Sequence, residues 1–142
     1  MQFSFELICY DIEFIQRIIV YEKFRKVLQK MQISHLGYNP SYSQEAPSLE
    51  QIESLTGEAL LEFGVPWCPH CQLAMKAIEE VLSELSFKDL PHIKILDGKG
   101  KPLGRSFKVK RWPTLIWLRD GKEVARIERP LRASDMRLLM QG

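Results

Sequence analysis

Two cysteines stand three positions apart in the run Trp67-Cys68-Pro69-His70-Cys71. An apolar segment precedes this run and a helical pattern follows it, so Cys68 is predicted to open a helix. At that position the free backbone N–H groups and the helix dipole favour a thiolate over a thiol, and the thiolate is the nucleophilic form of cysteine. Cys71 lies one turn further along and is predicted to be the more buried thiol. The spacing therefore indicates an attacking sulfur and a resolving sulfur that can form a disulfide.

The two residues between the cysteines bear on the same chemistry. His70 is a hydrogen-bond donor, more so when protonated, and would stabilise a neighbouring thiolate and with it the reduced pair. A pair that is stabilised in its reduced form is a stronger oxidant. Pro69 stiffens the first helical turn at a position where its missing N–H removes no hydrogen bond.

Zinc binding is the alternative for a C-x-x-C pair. A structural zinc site usually has four ligands, and this sequence offers no second pair, because Cys9, His35 and His92 are isolated from one another. We therefore expect no metal and no other bound cofactor, since the two cysteines can carry the electrons themselves. Cys9 is expected to be a small core residue of the N-terminal segment.

Length and charge restrict the class of protein. The 142 residues suffice for one domain with a sizeable core, and a net charge of +2 is smaller than that of most nucleic-acid binders. The first 20 residues lack the basic region and cleavage site of a secretory signal and are interrupted by Glu6, Asp11, Glu13 and Arg17. No uncharged stretch approaches the roughly 18 residues that a membrane span needs. We therefore expect a cytoplasmic protein that binds neither nucleic acid nor membranes.

Periodicity and turn residues predict the elements that position the cysteines. Helices are expected at about 10–31, 48–57, 68–86 and 134–140, strands at 59–65, 93–96, 114–118 and 123–128, and a helical turn at 102–107. Ser48 with Gln51 forms a capping box, and Ser134 is expected to cap the last helix. This order implies an α/β fold, a mixed sheet with helices on both faces.

The chain is expected to divide into an N-terminal extension, residues 1–46, and a domain of residues 47–142. The extension would hold the first helix and a linker rich in turn residues over 37–47. That helix would either pack on the domain or contact a partner, such as a second copy in a dimer. Its apolar stripe comprises Ile8, Ile12, Ile15, Ile19, Phe24, Val27, Leu28 and Met31, and that of the helix at 68–86 comprises Met75, Ile78, Val81, Leu82 and Leu85.

Three motifs in order, Phe63 to Cys71, Trp112-Pro113-Thr114 and Asp120-Gly121-Lys122-Glu123-Val124, make residues 47–142 resemble thioredoxin. The resemblance implies the thioredoxin fold and a protein disulfide oxidoreductase that takes part in cell redox homeostasis. Its substrates would be protein disulfides. Its redox partner would be a protein such as thioredoxin reductase, or glutathione.

The resemblance also assigns residues around the cysteines. Pro113 matches the family's cis-proline, which faces the cysteines, and the Trp112 backbone would pair with a substrate chain like an added strand. Trp67 would offer an apolar platform to substrates. Read without the family, Pro113 is a proline at the start of a strand.

Glu62 matches the buried acid that the family keeps beneath its cysteines. Burial would raise the pKa of this carboxyl and suit it to exchanging a proton with Cys71. The alternative is an edge-strand glutamate that reaches solvent. Lys94 matches, loosely, a lysine near that acid, and a surface lysine fits the sequence equally well.

The chain departs from thioredoxin at several points. Thioredoxin has Gly-Pro between its cysteines, whereas Pro69-His70 resembles the bacterial periplasmic oxidant. The potentials of these two proteins are about −270 mV and about −120 mV, so we expect an intermediate value and reductase or isomerase behaviour. Trp112 and Pro130 replace smaller residues at the groove.

A run of basic residues precedes Trp112 and would be either a solvated loop or a guide for acidic partners. It comprises Lys99, Lys101, Arg105, Lys108, Lys110 and Arg111. The second functional hypothesis is accordingly a binding module that holds a partner in the groove without redox turnover.

Overall fold

The computed structural model describes residues 12–30 and 34–142. The elements are α1 Ile12–Lys30, β1 Ser34–Leu36, α2 Leu49–Glu53, β2 Glu58–Gly64, α3 Pro69–Leu82, β3 Pro91–Leu96, α4 Pro102–Ser106, β4 Thr114–Arg119, β5 Lys122–Glu128 and α5 Ala133–Leu139. They follow the predicted order except for β1, which the sequence did not predict. A short 3-10 turn, Leu85–Phe87, lies between α3 and β3. None of the described helices is long and apolar enough to cross a membrane.

The sheet is mixed and has the strand order β1-β3-β2-β4-β5. Strands β2 and β3 are parallel, and the other neighbouring pairs are antiparallel. Side chains alternate between the two faces of a strand, and each face of this sheet packs into its own core. Residues of α2 and α4 join the core of one face, and α3 and α5 cover the other. The predicted mixed sheet with helices on both faces is therefore confirmed.

The same alternation decides where the polar residues of β2 and β3 lie. Leu61 and Phe63 belong to the core on the α2 side, as do Ile93 and Ile95 of β3. The residues between them therefore lie on the α3 side. Glu62 is level with Lys94 in the parallel register, and His92 is level with Leu60. Three ionisable side chains, Glu62, His92 and Lys94, thus meet on the buried face beneath α3.

The segment before α2 is attached to the sheet, although its turn residues predict a linker. Strand β1 pairs with β3, and Gly37 N–H donates to the Leu90 carbonyl at 2.9 Å in a positive-φ conformation. Ser43 N–H donates to the Lys94 carbonyl at 2.9 Å and Leu96 N–H to the Ser43 carbonyl at 2.8 Å. Turn residues produce a packed loop as readily as a free one, so their presence does not identify a linker. The division at residues 46 and 47 stays a prediction.

Two local expectations about the helices, the end of α3 and the cap of α5, differ from the structure, and a third is confirmed. Helix α3 ends at Leu82, and Leu85 is 86% exposed in the 3-10 turn rather than buried in the helical stripe. The predicted α2 capping box of Ser48 with Gln51 is present. At α5 the cap is Arg132, not Ser134, because the Asp135 carboxylate accepts hydrogen bonds from the backbone N–H groups of residues 131 and 132.

Helix α1 presents apolar side chains to solvent. Ile12 is 73% exposed, and Ile15 and Ile19 are 40% and 49% exposed. The expectation that this stripe packs on the domain is therefore wrong for residues 12–20, although Tyr21 is half-buried against the core on the α2 side. Contact with a partner or a second copy stays a prediction. Cys9 lies outside the described residues.

Candidate active site

Cys68 occupies the N-cap of α3, as the sequence predicts. Its backbone is extended, and Pro69 is the first helical residue. Partial burial raises the pKa of Cys68, but the backbone N–H groups of Cys71 and His70, the Cys71 thiol and the charge of Arg129 outweigh it. The pKa therefore lies below its ordinary value. This thiol is the one that becomes a nucleophile more easily.

Cys71 lies in the first turn of the same helix and is 1% exposed. Burial raises the pKa of its thiol to about 11, although a hydrogen bond from the Val65 backbone acts in the opposite direction. Both cysteines are free thiols in this structure. Two neighbouring thiols thus have pKa values shifted in opposite directions, as an attacking and a resolving sulfur require.

Glu62 is buried on the face of the sheet that α3 covers, with 1% of its side chain exposed. Its two carboxylate oxygens have different partners. Oε2 is 2.8 Å from His92 Nε2, while Oε1 accepts a hydrogen bond from the Tyr42 hydroxyl at 3.1 Å and lies 3.9 Å from Lys94 Nζ. The alternatives of a solvent-exposed glutamate and a surface lysine are therefore wrong, because Lys94 is also 1% exposed.

The hydrogen bonds of His92 determine its proton position. Nδ1 accepts a hydrogen bond from the Asn39 backbone N–H at 2.9 Å, so this nitrogen carries no proton. Nε2 must then carry the proton and donate it to Glu62. The Asn39 amide also donates to the His92 carbonyl at 3.1 Å, which fixes the loop against β3. A neutral His92 thus holds one oxygen of the Glu62 carboxylate.

The direction of the Glu62 pKa shift is the reverse of the sequence-based expectation. Burial does raise the pKa of this carboxyl, but its electrostatic and hydrogen-bonding interactions with His92, the charge of Lys94 and the hydrogen bond from Tyr42 together outweigh burial and lower it. Three donors converge on the carboxylate, and each favours the ionised form. Glu62 is therefore a buried, ionised proton acceptor.

Tyr42 connects the carboxylate with the buried thiol. Its hydroxyl donates to Glu62 and lies near Cys71 Sγ, since both atoms surround the point that a Cβ of Gly64 would occupy. Lys94 Nζ lies 4.4 Å from the centre of the Tyr42 ring. Burial is the largest cause that raises the pKa of Tyr42 far above its ordinary value, and Glu62 and Cys71 add to it. Gly64 makes this approach possible, since a Cβ there would lie 2.6 Å from the hydroxyl and 2.8 Å from Cys71 Sγ.

The predicted substrate-binding residues differ in exposure, since Trp112 is half-buried and Pro113 is buried. Trp67 is 68% exposed. The Trp112–Pro113 peptide bond is cis. The Trp112 indole donates to Asp97 at 2.8 Å, and its carbonyl accepts a hydrogen bond from Arg129 Nε at 3.1 Å. The His70 side chain is exposed, and the effect on Cys68 that the structure shows comes from the His70 backbone.

Sequence reasoning missed four residues that contribute to this site. Tyr42 and Asn39 lie in the supposed linker, His92 was considered only as an isolated metal ligand, and Arg129 follows the last strand. Only the strand alternation of β3 could have placed His92 on the Glu62 face. Among residues 12–30 and 34–142, no group of three or more His, Cys, Asp or Glu side chains could hold a metal ion.

Most of the chain matches known proteins in sequence. The sequence model of the thioredoxin family matches residues 43–141. Thioredoxin from Chlamydia pneumoniae is 34% identical over 86 residues, which cover 56% of this chain and 78% of that protein. Thioredoxin domain-containing protein 5 homolog from Drosophila melanogaster is 34% identical over 70 residues, 49% of this chain. The chain spans 17% of the length of that protein.

A solved structure agrees with these sequence matches. Thioredoxin 2 from Pseudomonas aeruginosa PAO1 in its reduced form superposes with a TM-score of 0.63 and 44% identity. The alignment covers 74% of this chain and 100% of that one. The chain belongs to the thioredoxin family.

Proposed function

We propose that this chain is a thiol–disulfide oxidoreductase that acts on disulfide bonds of proteins. The observation that carries the proposal is the contrast between its two thiols. One lies half-exposed at a helix N-terminus with a lowered pKa, and the other lies one turn deeper with a raised pKa. Exchange of disulfides needs this pairing of an accessible thiolate with a protected second thiol.

The reaction has two steps in this proposal. The Cys68 thiolate attacks one sulfur of a substrate disulfide, a mixed disulfide forms and the other substrate sulfur leaves as a thiolate. Cys71 then loses its proton and attacks Cys68 Sγ, which releases the second substrate thiolate. Two electrons pass from the dithiol to the substrate, and the chain retains a Cys68–Cys71 disulfide.

The relatives support this reaction without deciding its direction. Thioredoxins and protein disulfide-isomerases are both among the similar proteins; the isomerase from Aspergillus niger is 34% identical over 73 residues, which cover 51% of this chain and 14% of that protein. We propose reductase or isomerase behaviour, with thioredoxin reductase or glutathione restoring the pair. A cytoplasmic location, a role for the His70 imidazole and a dimer through α1 stay predictions.

Trapping of the mixed disulfide tests the proposal. In a Cys9→Ser background, Cys71→Ser should accumulate a covalent complex with a disulfide-bonded test peptide, because its Cys68 still attacks and no thiol resolves the product. Cys68→Ser serves as the matched control and should form little complex, since the remaining thiol is buried. Equal trapping in both variants, or none in Cys71→Ser, would contradict the assignment of roles.

The second candidate function is a binding module that uses the groove without redox turnover. Exposure of Trp67 favours it, together with the run of basic residues at 99–111, which would attract an acidic segment. The double variant Cys68→Ser/Cys71→Ser distinguishes the two functions. Affinity for a partner that is unchanged in this variant supports the module, whereas loss of all capture supports the exchange reaction.

A further inference from the structure

The buried thiol needs a proton acceptor before it can resolve a mixed disulfide. Cys71 is 1% exposed, and burial raises the pKa of its thiol to about 11. Near neutral pH the fraction of thiolate is therefore very small. Glu62 is an ionised acceptor on the same face of the sheet, and the hydroxyl of Tyr42 donates to it at 3.1 Å and lies next to Cys71 Sγ above Gly64.

We propose that Tyr42 is a catalytic residue that relays the proton of Cys71 to Glu62 in the resolving step. This inference rests on the proposed thiol–disulfide exchange and assigns one further residue to it. The hydroxyl donates its own hydrogen to Glu62 Oε1 at 3.1 Å, so its oxygen lone pairs are available to the Cys71 thiol. In this arrangement the Cys71 thiol would donate to the Tyr42 hydroxyl, which donates to the Glu62 carboxylate.

The proposed transfer balances without another reactant. The Cys71 S–H proton moves to the Tyr42 oxygen while the Tyr42 hydrogen moves to Glu62, which leaves a thiolate, an intact phenol and a neutral carboxylic acid. The Cys71 thiolate then forms the bond to Cys68 Sγ, and the bond from Cys68 to the substrate sulfur breaks. When the disulfide is later reduced, the same path returns the proton from Glu62 to Cys71.

The surroundings of Glu62 leave one oxygen for this relay. Neutral His92, from β3, occupies Oε2 at 2.8 Å. Lys94, also from β3, lies 3.9 Å from Oε1 and 4.4 Å from the centre of the Tyr42 ring. This ammonium keeps the carboxylate ionised and ready to accept a proton, and it holds the ring in place through a cation–π contact.

Gly64 of β2 leaves the space in which the Tyr42 hydroxyl and Cys71 Sγ lie close together. Any Cβ at this position would come within 2.6 Å of the Tyr42 hydroxyl and 2.8 Å of Cys71 Sγ. The hydroxyl and the sulfur therefore meet above a backbone that carries no side chain. Tyr42 in turn is held by its own loop, in which Ser43 is hydrogen-bonded to β3 on either side of Ile95.

Tyr42→Phe tests the relay because it keeps the ring and removes only the hydroxyl. The two steps are measured separately by rapid mixing with a disulfide-bonded test peptide, in a Cys9→Ser background. We expect the resolving step at pH 7 to slow by about 100-fold, the lower end of what general acid–base catalysis contributes. The attack by Cys68, measured with Cys71→Ser added, should stay within a factor of two of the value without Tyr42→Phe.

The pH profile separates a proton relay from a structural role. Between pH 7 and pH 10 the difference between Tyr42→Phe and the unsubstituted protein should shrink, because hydroxide can remove the proton directly as the pH nears the pKa of the thiol. Tyr38→Phe is the matched control, since the Tyr38 ring also faces Lys94, at 5.7 Å. It should resolve at the normal rate.

Two results would overturn the relay. One is a resolving step of Tyr42→Phe that is as fast as that of the unsubstituted protein. The other is a slowing that does not change with pH or that Tyr38→Phe shares. If the unsubstituted protein itself forms no mixed disulfide with the peptide, the proposed function fails first and takes the relay with it, so the two failures are distinguishable.

Discussion

Cys68 and Cys71 lie one helical turn apart, yet different parts of the molecule determine their chemistry. The surroundings of Cys68 are backbone N–H groups at the start of α3 and the charge of Arg129. Next to Cys71 lies the Tyr42 hydroxyl from the loop before α2. Tyr42 in turn contacts Glu62 of β2, whose other partners are His92 and Lys94 of β3. We call the first region the exposed rim and these four side chains the buried cluster.

The comparison shows two ways to control a thiol. On the exposed rim, helix geometry supplies most of the effect, water screens the charges, and single side chains contribute little. In the buried cluster, charges and hydrogen bonds act in a region of low dielectric, where an unpaired group is costly. Substitutions should therefore have large effects on stability in the buried cluster and small effects on reactivity at the exposed rim.

His92→Leu should have the largest effect on stability. It leaves one oxygen of the ionised Glu62 and the Asn39 backbone N–H without their partner. Removing one partner of a buried ionic pair costs about 3–5 kcal/mol. Because His92 is neutral here, we expect the lower end, a loss of about 3 kcal/mol in the free energy of unfolding, measured by urea denaturation at pH 7.

The matched control for that variant is the histidine opposite in the sheet. His35 pairs with His92 in the β1–β3 register but is exposed. His35→Leu should change the free energy of unfolding by less than about 0.5 kcal/mol, as surface substitutions usually do. Similar losses in both variants would mean that the strand pairing, rather than the contact with Glu62, is responsible.

Glu62→Gln should remove part of the acid sensitivity of the fold. The pKa of this carboxyl is lowered in the folded chain, so the folded state binds the proton less readily than the unfolded state does. The stability that Glu62 contributes is therefore complete above its ordinary pKa of 4.5 and is lost as the pH falls through that value toward the lower, folded pKa.

Denaturation at several pH values checks this linkage. From pH 5 to pH 3 the unsubstituted protein should lose more stability than Glu62→Gln, by a difference smaller than the full effect of His92→Leu. Glu45→Gln removes an exposed carboxylate and should leave the acid slope unchanged. A slope in Glu62→Gln as steep as that of the unsubstituted protein would show that other carboxyl groups cause the acid sensitivity.

Features that depend on neighbours in the chain could be predicted from the sequence. Cys68 and Pro69 at the start of a helix, and the capping box of Ser48 with Gln51, depend on residues at most three positions apart. The order of the elements was enough to predict a mixed sheet with helices on both faces, but not its strand β1. The order of the motifs carried the resemblance to thioredoxin. The resemblance to thioredoxin implied the burial of Glu62, and its apolar neighbours in the strand agreed with that, although a solvent-exposed glutamate stayed open.

Features that depend on register between distant segments could not be predicted. Tyr42 reaches Glu62 across 20 positions and His92 reaches it across 30, and nothing local marks either residue as a partner. The expected pKa of Glu62 had the wrong direction because burial alone was considered and the three donors were unknown. The exposure of α1 shows the same limit, since an apolar stripe indicates a contact without identifying what makes it.

Arg129→Gln should have the smallest effect and tests the exposed rim. The charge of Arg129 helps to lower the pKa of Cys68, so its removal should raise that pKa and reduce the fraction of thiolate at pH 6. A surface charge contributes about 0.2–1 kcal/mol, which corresponds to a decrease of up to about fivefold in the rate of alkylation by iodoacetamide. Arg132→Gln is the matched control, with a side chain that is 80% exposed, and should react at the normal rate.

Added salt should slow the unsubstituted protein and leave Arg129→Gln nearly unchanged, because screening acts only on a charge that is present. A decrease in the alkylation rate much larger than fivefold would mean that the hydrogen bond from Arg129 to the Trp112 carbonyl also maintains the structure of the exposed rim. The contrast between an exposed rim controlled by backbone groups and a buried cluster controlled by side chains would then be weaker than the structure indicates.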